Sequence, residues 1–90
     1  MQLPTKKQKL LEKEFLDKID VIRDDAERFE ETKDIAIFKR MRIDVGFIIF
    51  LAQAALCDEE ITERGYEQIM EEMLEISETV KQTLGGKDHE

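Results

Sequence analysis

The stretch Val45–Cys57, VGFIIFLAQAALC, decides the reading, because only Gly46 and Gln53 in it lack an apolar side chain. A helix with one face in a core shows polar residues at every third or fourth position. This segment is apolar nearly all the way round, which predicts a helix covered on several sides. It is shorter than the roughly 20 apolar residues that span a bilayer. Arg42 and Asp44 close it on one side, and Asp58, Glu59 and Glu60 on the other. The cover is therefore expected to be protein rather than lipid. A 90-residue chain has few helices to spare, so a second copy of the chain is the simplest source, and small chains commonly gain core by dimerising.

Periodicity extends this reading in both directions. Upstream, Leu11, Phe15, Ile19, Ile22, Ala26 and Phe29 follow spacings of three and four residues, the stripe of an amphipathic helix. Thr5 after Pro4, with Gln8 three residues on, has the capping-box pattern of a helix start. The first helix is expected over about 5–31, and Thr32–Asp34 is a break, since Thr and Asp favour caps over helix interiors. The second helix is expected over about 34–56, with Phe38, Met41, Val45, Ile48, Ala52 and Ala55 as one seam. Phe47, Phe50 and Leu51 widen that seam, and Lys39, Arg40 and Arg42 keep its first turns wet. Downstream, Ile69, Met73, Ile76, Val80 and Leu84 form the stripe of a third helix over about 60–84, capped by Asp58 or Thr62 and ended by Gly85-Gly86.

The expected fold is all-α. Three antiparallel helices form one domain over residues 1–84, with an apolar central helix and a flexible tail over 85–90. One Pro and four Gly are too few breakers for an all-β chain. The single cysteine, Cys57, excludes an intramolecular disulfide, and the lysine-rich start is unlike a signal peptide. A cytoplasmic setting follows as the expectation.

The net charge of −8 is unevenly spread. Residues 1–45 hold 11 acids and 11 bases, whereas residues 46–90 hold 11 acids and 3 bases. That distribution disfavours nucleic acid, which requires a basic face, and suits a basic protein partner. At 100° per residue, Glu60, Glu67, Glu71, Glu75 and Glu78 fall opposite the Ile69/Met73/Ile76 stripe. Glu63/Glu67, Glu67/Glu71 and Glu71/Glu75 are like-charge i,i+4 pairs, each costing about 0.2–0.5 kcal/mol in an isolated helix. A basic partner would relieve that repulsion. A solvated face has the same composition.

Nucleophilic catalysis has no support. The one histidine, His89, is in the tail, so neither Ser77 nor Cys57 has a ring base in the helical part. No glycine-rich phosphate loop is present, and no cofactor is expected. Cys57 and the Met and Phe residues fit a core better than a cofactor site. An EF-hand fails too, because with Ile61 at the eighth loop position the twelfth is Gly65 instead of Glu.

Glu27 and Glu30 share a helix face, and with Asp44 they form a possible divalent-cation set. On these residues the chain resembles the MazG-like all-α nucleotide pyrophosphohydrolases, over about residues 24–57. In that family a Glu-x-x-Glu pair faces a Glu-x-x-Asp pair, and together they hold magnesium. Glu27-x-x-Glu30 matches the first pair, but Met41-x-x-Asp44 has Met41 in place of a carboxylate. The resemblance implies metal-dependent hydrolysis, which that substitution argues against. Ala54–Gly65 also resembles the helix connection of the tellurite-resistance TerB-like proteins, with Glu59 where the family has Gly.

Together these observations predict a non-enzymatic, acidic, helical interaction protein, a regulator, inhibitor or adaptor. It is expected to dimerise through Val45, Phe47, Ile48, Phe50, Leu51, Ala52 and Ala55. Glu60, Glu67, Glu71, Glu75 and Glu78 would meet a basic partner, with no direct nucleic acid and no membrane involved. The alternatives are a divergent pyrophosphohydrolase and a structural subunit of a hetero-complex.

Overall fold

The computed structural model describes residues 3–85 and contains three helices, α1 (Lys6–Thr32), α2 (Ile35–Cys57) and α3 (Glu63–Gly85). The expected tail after Gly85 lies outside the described residues. Each boundary has a local cause. Thr5 accepts from the Gln8 N–H at 3.1 Å, and the Gln8 side chain accepts from the Thr5 N–H at 2.9 Å. That completes the capping box anticipated from the sequence. α1 ends where Lys33 turns left-handed, at φ 58°, and donates its N–H to the Phe29 carbonyl. Asp34 then caps α2 by accepting from the Ala36 N–H at 3.0 Å.

α2 ends in a Schellman motif. The Glu60 N–H donates to the Ala55 carbonyl at 2.8 Å and the Glu59 N–H to the Leu56 carbonyl at 3.0 Å. Glu59 holds the left-handed position of that motif, at φ 61°. This turn explains why α3 begins at Glu63 rather than near residue 60. Asp58–Glu60 are spent completing the C-terminus of α2, and Ile61, 2% exposed, enters the core before Thr62 can cap.

The helices run up, down and up. Phe29 on α1 stacks on Phe38 at the start of α2, with ring centroids 5.6 Å apart, so α1 and α2 are antiparallel. Glu12 reaches Thr62, and Arg23 reaches Glu72, so α1 and α3 run parallel. The core is continuous from Phe15, Ile19, Ile22 and Phe29 on α1 to Met41, Ile48 and Ala52 on α2. Ile61 and the Ile69, Met73 and Ile76 stripe of α3 complete it.

The layout differs from expectation in one respect. α1, with the most regular stripe, packs along both neighbours, while α2 and α3 diverge and leave a groove between them. The apolar α2 is a flanking helix with one buried side. Ile48, Ala52 and Ala55 belong to the interior of the single chain, at 4%, 0% and 4% exposure, and are not on its surface as an interface would need. Val45 is half-buried against the same core.

Candidate interaction surfaces

The outward side of α2 is a strip of apolar side chains with nothing among the described residues packed on it. Ile43, Phe47 and Phe50 are 65%, 62% and 66% exposed, and Leu51 beside them is 45% exposed. Ala54 continues the strip, and Val21 of α1 lies along its edge. At 100° per residue, Ile43, Phe47, Phe50 and Ala54 fall within an arc of about 60°. The expected interface residues thus divide: Phe47, Phe50 and Leu51 face outward, and Ile48, Ala52 and Ala55 face inward. Ile43 and Ala54 join the outward group, although the sequence reading did not single them out. Their signal is the i, i+4, i+7, i+11 spacing of 43, 47, 50 and 54, masked by the apolar residues between them.

The exposed side of α3 is acidic. Glu67, Glu71, Glu75 and Glu78 all face solvent, and none makes an ion pair among the described residues. Leu74, 63% exposed, sits among them. Glu60 is separate from this row: it belongs to the turn before α3 and borders a small cleft with Leu11, Glu14 and Leu51. Glu72, one position from Glu71, is half-buried and bridges to Arg23 of α1, which also bonds Asp20 at 2.6 Å.

A third feature is the groove between α2 and α3, about 580 Å³ in volume. Phe38, Met41, Val45, Ile76 and Val80 supply its apolar walls, and Arg42 and Lys81 border it. Arg42 lies over the Phe38 ring, 6.0 Å from its centroid, within cation–π range.

Besides the Arg23–Glu72 bridge, two polar constellations join helices, and both escaped the sequence reading. Asp25 is 6% exposed, and its carboxylate accepts from Arg40 of α2 at 3.2 Å with Arg28 at 3.7 Å. Its place in the stripe, three residues after Ile22 and four before Phe29, was the available signal. At the other end, Glu12 of α1 accepts from both the Thr62 N–H at 2.8 Å and the Thr62 hydroxyl at 2.9 Å. Thr62 in turn accepts from the Gly65 N–H at 2.9 Å. In a capping box the residue at the third helical position returns a side chain to the cap N–H. Gly65 occupies that position with no side chain, and Glu12 supplies the carboxylate from another helix. Gln8 ties the same corner by donating to the Glu59 carbonyl at 3.0 Å.

The carboxylates considered for a cation are not assembled. Glu27 and Glu30 are exposed on α1, and Asp44 lies against Lys18, Val21 and Phe47. Among the described residues no group of three His, Cys, Asp or Glu side chains is arranged to hold a metal ion. Among the same residues, no helix is long and apolar enough to cross a membrane.

No protein-family model, curated protein or solved structure matches the chain.

Proposed function

We propose that the protein is a small helical interaction module, a cytoplasmic regulator, inhibitor or adaptor. It works as a homodimer joined through the outward face of α2, and each copy offers the acidic face of α3 to a basic protein partner. The observation that carries this reading is the bare strip of Ile43, Phe47, Phe50 and Leu51 on a chain that is 40% charged. Contiguous apolar surface of this kind marks an interaction site. Full burial of a Phe or Ile contributes about 1.5–3 kcal/mol. Two copies bury each residue twice, against the entropy of association.

The α3 face supports the second half of the reading. Glu67, Glu71, Glu75 and Glu78 project from one helix without internal partners among the described residues. Such a row attracts cationic surfaces and speeds encounter with them.

Sedimentation velocity at micromolar concentration tests the dimer. The species should have about twice the 10.6 kDa chain mass, and a monomer across that range defeats the reading. The α3 half is tested with a lysine- and arginine-rich helical peptide. Binding should weaken steeply with salt, since exposed charges are screened over about 10 Å at 0.1 M. The triple variant Glu67→Gln, Glu71→Gln, Glu75→Gln should bind more slowly and be no less stable, because it removes like-charge neighbours. Unchanged binding by this variant removes α3 from the reading.

A further inference from the structure

Resting on the dimer reading above, we infer that two copies pair α2 against α2 in antiparallel orientation, about a two-fold axis at the midpoint between Ile48 and Ile49. The argument starts from symmetry. In an antiparallel two-fold pair, residues equally far from the axis on opposite sides meet. The exposed strip is itself balanced about that midpoint: Ile43 would lie against the partner's Ala54, and Phe47 against the partner's Phe50. Large meets small at the ends, and ring meets ring near the centre.

Shape supports the same register. Gly46 is exposed, and a Cβ placed on it would meet nothing within 4 Å. The two-fold sets each flank of the strip against the same flank of the partner, so Leu51, 45% exposed, lies beside the partner's Phe47 on one flank. Gly46 is on the opposite flank from Leu51, where it faces the same flank of the partner. The missing side chain at Gly46 leaves that flank open to close approach.

Charge gives an independent reason. α2 begins with exposed cations at Lys39 and Arg40 and is followed by exposed acids at Asp58, Glu59 and Glu60. Antiparallel pairing brings Lys39 to the partner's Asp58. Among the described residues, neither makes an ion pair within the chain. Parallel pairing would stack cations on cations and acids on acids. Like charges opposed in an interface select against that orientation.

The native cysteine reports the orientation. Cys57 is exposed at the end of α2, about 13 Å along the helix from the axis at 1.5 Å rise per residue. In the antiparallel pair the two Cys57 positions are therefore about 25 Å apart, whereas in a parallel pair they are neighbours. Spin labels on Cys57 of the full-length protein should give one electron–electron distance of about 25–35 Å, with helix rise and label reach both counted. Mild oxidation should not produce a disulfide within the dimer, since that requires Cα atoms within about 7 Å.

A charge swap gives a second readout. Lys39→Asp and Asp58→Lys should each weaken dimerisation by about threefold to tenfold, the scale of exposed ion pairs lost at two symmetric sites. The double variant should recover it. Rapid Cys57 disulfide formation, a label distance near 10 Å, or stronger dimers from Lys39→Asp alone each overturn the antiparallel pair while leaving dimerisation intact. A monomer in sedimentation, or a dimer unaffected by Phe47→Ser, overturns the dimer reading itself.

Discussion

Replacing Gly65 by Ala should destabilise the protein, even though Ala is the better helix former by about 1 kcal/mol. A Cβ at Gly65 would clash with the Glu12 carboxyl carbon and its oxygens. The obstacle is the tip of a flexible side chain, so steric strain alone is cheaply relieved by swinging Glu12 away. The cost lies in what Glu12 then releases. Its Oε2 accepts from the Thr62 N–H at 2.8 Å and from the Thr62 hydroxyl at 2.9 Å, in a part-buried corner. Hydrogen bonds to a charged group contribute about 1.5–3 kcal/mol each when well shielded. Partial exposure and a gain in solvation by the freed carboxylate reduce the pair to about 2–3 kcal/mol. After the propensity gain, Gly65→Ala should cost about 1–2 kcal/mol, or about 5–15 °C in Tm for a chain of this size. Urea and thermal unfolding followed by circular dichroism measure both quantities. The double-mutant cycle with Glu12→Ala is the decisive control. Once Glu12 is gone, Gly65→Ala should change sign and stabilise by about 0.5–1 kcal/mol. The same sign in both backgrounds, or a stabilising effect in the native one, would refute the account of Glu12 as a cap supplied from another helix.

Further outcomes rest on the same geometry. Ile48→Asp should unfold the chain at any concentration, since it places a charge at a position 4% exposed, a loss exceeding about 4 kcal/mol; Phe50→Ser should keep the helical circular dichroism signal and lose only self-association. Arg40→Ala should cost about 1–3 kcal/mol in chemical denaturation, because Asp25, 6% exposed, then keeps only Arg28. Glu59→Gly should raise stability by about 0.5–1 kcal/mol, relieving a non-glycine residue held at φ 61°. Millimolar Mg²⁺ should leave the Tm unchanged, and Glu30→Gln should have no effect on that result, since stabilisation by a cation requires a site in the folded state.

The helix count, the class of fold and most of the core were legible in the sequence because they are local properties. The stripe Phe15, Ile19, Ile22, Ala26 and Phe29 is buried as its spacing predicted, and the Thr5–Gln8 capping box formed as written. Both depend only on residues within a turn or two of one another. The start of α3 was misplaced because Asp58–Glu60 close a Schellman turn around Glu59, and no glycine announces that conformation.

Tertiary structure decided which side of α2 faces the core. A helix apolar nearly all round has no periodic contrast from which its inner side can be read. Only docking on α1 separates Ile48, Ala52 and Ala55 from Ile43, Phe47 and Phe50. The same holds for the polar contacts between helices. Asp25 with Arg40, and Glu12 with Thr62 around Gly65, join positions 15 and 50 residues apart. No local pattern encodes such pairs, because the free energy that selects them arises only when the helices are packed together. The sequence by itself determined three amphipathic helices and an excess of apolar surface. Packing determined where that excess is left bare, because each helix can turn only one side to a core this small.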